Sequence, residues 1–80
     1  MKVPRFMVIS SFRYALGRKT YIVDETIRWI KNNLNNIERF DLELMVKEIR
    51  EYKDMKAFKT FNIETNWVLL SDAIKRFLKK

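Results

Sequence analysis

Apolar residues return every three or four positions between Arg5 and Leu16, with Phe6, Ile9, Phe12 and Leu16 on one side and Val8 and Ala15 widening the stripe. The pattern predicts a first helix over Arg5 to Leu16, opened by Pro4 and ended by Gly17 in the left-handed conformation that commonly closes helices. Met7, Ser11, Tyr14 and Arg18 fall on the opposite side. Arg13 lies on the border beside Phe6, where its charge is expected to be partly buried and satisfied. A second helix is expected from Thr20, whose hydroxyl can cap free amides, with Asp24 and Glu25 near the positive end of the dipole. Its core side is Ile22, Val23, Ile27, Ile30, Leu34 and Ile37, its flank is Trp29, and its wet side is Asp24, Arg28, Lys31, Asn32 and Asn35. The run from Lys31 to Asn36 is rich in asparagine, which competes for backbone hydrogen bonds, so this helix is expected to fray or stop early.

A third helix is predicted with Asp41 as its N-cap and with Phe40 and Met45 packing together across the entry as a hydrophobic staple. Leu42, Met45, Val46, Ile49 and Tyr52 line its apolar face. Glu43 with Lys47, Lys47 with Glu51, and Arg50 with Asp54 stand four apart on the outer face, each pair contributing about 0.2–0.5 kcal/mol. From Asp54 to Glu64 no clean period appears, so a loop is expected, with Met55, Phe58 and Phe61 able to share one face of a short turn. A fourth helix is then expected from Glu64 or Thr65, carrying Trp67, Leu70, Ile74, Phe77 and Leu78 on one stripe and a cationic tail at the negative end of its dipole. The expected fold is all-α, a compact bundle of about four helices in one domain spanning residues 1–80.

Composition supports that class. The chain has one glycine and one proline, too few for the tight turns of an all-β fold, while 48% hydrophobic and 14% aromatic residues suffice for one core. At this size folding buries only about 60–65% of the unfolded surface, so each large apolar residue matters. The net charge of +7 is uneven: residues 1–20 carry five cations and no acid, residues 75–80 carry four cations and no acid, and the middle holds eight basic and ten acidic groups. Two basic ends on a near-neutral body favour an anionic or acidic partner. No apolar run approaches a membrane span or a signal segment, and cysteine is absent, so a cytoplasmic protein without membrane partners is expected.

Missing residue types exclude most chemistry. Without histidine or cysteine the usual zinc ligand sets and the Ser-His and Cys-His nucleophile pairs cannot be built. One glycine cannot form a phosphate-binding loop or a dinucleotide fingerprint. Asp24 with Glu25, or Glu48 with Glu51, remain formal acid-base pairs, but all sit on predicted solvent faces near cations. The expectation is a protein that is not an enzyme, with no catalytic residue, no cofactor and no metal.

One block stands out. Between Ser11 and Tyr21 three cations, three aromatic rings and the only glycine occur without an acid. One reading is purely structural: Phe12 and Leu16 in the core, Gly17 and Thr20 as helix punctuation, the rest exposed. The other gathers Arg13, Tyr14, Arg18, Lys19 and Tyr21 at the first corner as a partner-binding site, since tyrosine and arginine join flat contact area to directional hydrogen bonds. The same cations could meet phosphates while Tyr14 or Tyr21 stacks on a base, which makes a basic helical nucleic-acid-binding protein the alternative. A helix-turn-helix fits poorly, because Asp24 and Glu25 open the helix that would meet the bases. Trp29 and Trp67 are expected in the core or on its flank, where an uncovered face would suit a homodimer.

The block Ser11-Phe12-Arg13-Tyr14-Ala15-Leu16-Gly17-Arg18-Lys19-Thr20-Tyr21, with Glu48-Ile49 in a later helix and Trp67 near the start of the last, resembles a family of small phage and prophage proteins from Gram-positive hosts. The chain departs from that pattern in its asparagine-rich middle and in the segment Phe58 to Asn62. The resemblance implies a phage accessory protein acting in the host cytoplasm on a host protein or protein–nucleic acid complex. An inhibitor of a bacterial defence system, of the anti-CRISPR kind, is one form this could take.

Overall fold

Helix α1 runs from Arg5 to Leu16, as its apolar spacing requires, and Pro4 accepts the first helical bond from the Val8 amide at 3.3 Å. A computed structural model describes residues 4–19 and 21–80; Thr20, expected as the cap of the second helix, lies outside the described residues. The other elements are α2 (Tyr21–Asn32), a 3-10 turn (Leu34–Asn36), α3 (Arg39–Asp54) and α4 (Phe61–Leu78). Among the described residues there is no strand, and the protein is an all-α bundle of four helices.

The core is built from one stripe of each helix. Val8, Phe12, Ala15 and Leu16 of α1 meet Val23 and Ile30 of α2, Leu42, Met45 and Ile49 of α3, and Trp67, Leu70 and Ile74 of α4, with Ile37 closing the gap before α3. At its centre the ring of Phe12 stands edge-on to Trp67, 5.5 Å between centroids and 90° between planes. That geometry lets the positive edge of one ring meet the negative face of the other. It also selects which side of α1 turns inward: Val8 is buried, whereas Phe6, expected in the stripe, is 74% exposed. Trp67 lies wholly in the core rather than on an uncovered flank, and its Nε1 has no hydrogen-bond partner there; Trp29 remains partly exposed.

One boundary follows the sequence expectation of an early stop, and two differ from it. Helix α2 stops at Asn32, because Asn33 Nδ2 donates to the Trp29 carbonyl at 2.8 Å and so satisfies an end that another turn would have satisfied. Leu34 and Ile37 reach the apolar interior through the 3-10 turn. Helix α3 begins at Arg39 after an extended Glu38, so Asp41 is not its cap but the third helical residue, and Phe40 is exposed rather than stapled on Met45. On the outer face of α3 the ion pair that forms is Arg39 with Glu43, at 3.6 Å, one turn before the expected series. Helix α4 begins at Phe61, three residues early, because Thr60 Oγ1 accepts from the Ile63 amide at 3.1 Å. In the intervening segment Phe58 packs on Tyr52, ring centroids 5.2 Å apart, while Met55 and Phe61 stay exposed. No helix among the described residues is long and apolar enough to cross a membrane.

Candidate functional site

The end of α1 leaves carbonyl groups without helical partners, and the sequence places a cation there to take one of them. Arg18 Nε donates to the Tyr14 carbonyl at 3.2 Å, and its guanidinium carbon stands 4.2 Å from the centroid of the Tyr14 ring. At an exposed site such a cation–ring contact contributes about 0.5–1 kcal/mol, which favours the stacked arrangement of the two side chains. Tyr14 is 57% exposed and Arg18 also faces solvent. Lys19 follows in the turn and Tyr21 opens α2, 74% exposed, so the corner presents two cations and two rings outward.

Gly17 shapes this corner, though not as a left-handed stop. Its φ is −96°. A Cβ there would lie 3.2 Å from Tyr52 Oη, so the absence of a side chain lets α3 approach closely beneath the turn.

Arg13 behaves differently from its neighbours. Its Nη2 donates to Glu48 Oε2 at 2.6 Å and its Nε to Oε1 at 3.1 Å, tying α1 to α3. Its charge is satisfied as expected, but the side chain is mostly exposed rather than partly buried; Glu48 is the covered partner. The structure pairs Tyr14 with Arg18, sets Lys19 and Tyr21 along one depression, and engages Arg13 with α3.

A second clamp, with no signal in the linear pattern, joins the starts of the same two helices. Arg5 Nε donates to Asp41 Oδ2 at 3.0 Å and Arg5 Nη2 to Oδ1 at 3.1 Å, with the guanidinium 5.4 Å from the centroid of the Phe40 ring. Asp41 is 2% exposed and lies in the first turn of α3, where the helix dipole favours an anion. Hydrogen bonding to the carboxylate, and then its charge, raises the pKa of Arg5 (through Asp41) and of Arg13 (through Glu48). A base whose folded pKa exceeds its unfolded one stabilises fully below the unfolded value and loses that contribution only as pH climbs through the folded one. On the arginine side, both clamps are therefore intact throughout neutral pH.

Two surface depressions accompany the corner. One of about 420 Å³ lies between α1 and α2, walled by Met7, Ile22 and Trp29 with Glu25 at its side. The other follows α2 and α4 and carries Arg28, Lys31 and three asparagines. The sequence pattern identifies Arg28 and Lys31 only as members of a wet helix face, because nothing local reveals that α4 places Asn66 beside them. Of the formal acid-base pairs, Glu48 is taken up by Arg13. Among the described residues no group of three or more acidic side chains is placed to hold a metal ion. Neither protein-family models, nor curated proteins, nor solved structures provide a match to the chain.

Proposed function

We propose that this chain is a non-enzymatic accessory protein of a phage or prophage that binds a host protein, or a protein–nucleic acid complex, in the host cytoplasm through the corner between α1 and α2. Inhibition of a bacterial defence system by protein–protein contact, in the manner of an anti-CRISPR, is the form of action this reading favours. The observation that supports it is the stacked Arg18–Tyr14 unit, open to solvent with Lys19 and Tyr21 beside it, while neighbouring Arg13 is neutralised by Glu48. A cation and ring already biased toward stacking lose less freedom on docking than two independent side chains would, which favours a binding anchor.

Affinity capture from host lysate, with and without nuclease, tests the reading. One host protein should be retained after nuclease treatment, and Tyr14→Ala or Arg18→Ala should weaken its retention by about 30-fold, the hot-spot scale, with helicity by circular dichroism unchanged. Retention unaffected by both changes would remove the corner from the interface, and helicity lost together with retention would make its role structural.

A further inference from the structure

The depression along α2 and α4 is shallow and has two halves that meet at shared residues. Its halves, of about 390 and 510 Å³, share Asp24 of α2 and Asn66 of α4. Tyr21 and Asn62 stand at one end, Asn32 and Leu69 at the other, so the two helices run in the same sense beside it. The 12 residues of α2 give it a length of roughly 18 Å at 1.5 Å per residue.

The lining has a specific composition. Lys19 lies at one end and Arg28 with Lys31 at the other, and none of the three has an ion-pair partner among the described residues. The largely exposed ring of Tyr21 stands at the Lys19 end. Asn32, Asn62 and Asn66 offer amide groups that both donate and accept. Ile27 and the exposed Leu69 supply apolar surface between them. Asp24 is the single acid, at the middle.

We infer that this groove is a track for a short single strand of nucleic acid, with Lys19, Arg28 and Lys31 on its phosphates and Tyr21 stacked on an unpaired base. Cations spaced along a concave path, with a ring and amides between them, match a strand whose backbone and bases lie exposed together. A duplex hides its base faces and would meet only the groove's rims. The length admits a few nucleotides, the low end of the about 4–16 covered by an OB fold. An acidic peptide would meet the cations and its backbone would bond the amides, but it carries no base for Tyr21 to stack on. Asp24 repels any phosphate that drifts toward the middle, so its charge is not needed for binding. The groove shares Lys19 and Tyr21 with the corner, yet its claim does not depend on a host partner.

The test uses the full chain and a labelled oligothymidylate, read by fluorescence anisotropy between about 50 and 200 mM salt. Three phosphate contacts predict a slope of about −2 in log K against log salt, and Arg28→Ala with Lys31→Ala should flatten it by about 1.4. Tyr21→Ala should weaken binding at least about five-fold at fixed salt, and Asp24→Asn should not weaken it. Arg28, Lys31 and Tyr21 are exposed, so helicity should persist in these variants. Absence of binding at about 50 mM salt, an unchanged slope in the double variant, or tighter binding of a duplex of equal length overturns the inference. Equal displacement by polyglutamate, with no effect of Tyr21→Ala, also overturns it and makes the groove a dock for acidic proteins. Tyr14→Ala and Arg18→Ala, outside the groove, should leave oligothymidylate binding intact while weakening host capture, so either claim can fail without the other.

Discussion

Lys56 holds φ at 55° where α3 gives way to the loop, with its own amide bonded to the Lys53 carbonyl and the Ala57 amide bonded to the Tyr52 carbonyl. These two bonds form a Schellman closure, the setting in which glycine is usually found because a Cβ in the left-handed region costs roughly 1–2 kcal/mol. The chain's only glycine is spent elsewhere, at Gly17, where space rather than dihedral freedom is needed for Tyr52. Lys56 is exposed, so its side chain contributes little that glycine would forfeit. Lys56→Gly is therefore expected to raise stability by about 1 kcal/mol, after subtracting the larger entropy glycine loses on folding. Urea unfolding followed by circular dichroism measures this, and a lower midpoint would show that the lysine side chain itself supports the loop.

The start of α4 owes its place to a short-range hydrogen bond, and the faces of the helices owe theirs to long-range packing. For α4 the limit is Thr60, whose hydroxyl satisfies the Ile63 amide; Thr60→Ala should cost about 1 kcal/mol in the same measurement, whereas the equivalent change at exposed Thr65 should cost less. The apolar period made α1, the body of α3 and the Trp67-to-Leu78 stripe legible, because three or more turns of one face must be buried wherever the rest of the chain goes. The starts of α3 and α4 were not legible. Asp41 has the chemistry of a cap, but Arg5 draws it into an ion pair 36 residues away in sequence, and no local pattern records that attraction. At α4, Thr60 and Thr65 are both plausible caps, and the choice falls to Thr60 while Thr65 Oγ1 bonds back to the Phe61 carbonyl inside the helix. Likewise Arg18, Lys19, Tyr14 and Tyr21 could be placed at one corner from the turn alone, whereas the groove partners Arg28, Lys31 and Asn66 become neighbours only when α2 and α4 pack.

Across the whole molecule the cations divide into those that hold the fold and those that remain available. Arg5 and Arg13 fasten α1 to α3 at two heights, while Arg18, Lys19, Arg28 and Lys31 are free of ion pairs among the described residues. The two clamps are not equivalent, because the carboxylates differ in cover: the side chain of Asp41 is 3% exposed and that of Glu48 17%. Removing a guanidinium strands the carboxylate it served, and a stranded charge costs more the less water can reach it. Arg5→Met keeps an apolar stem over Asp41 while deleting the charge, so it should lower the urea midpoint more than Arg13→Met does. Adding Asp41→Asn to Arg5→Met should then recover part of the loss, since a neutral amide tolerates the site better than an unpaired carboxylate. Adding Glu48→Gln to Arg13→Met should recover little. Equal losses from the two arginine changes, or no recovery at Asp41, would mean that water follows the vacated guanidinium down to Asp41 and that its cover in the folded protein does not set the cost.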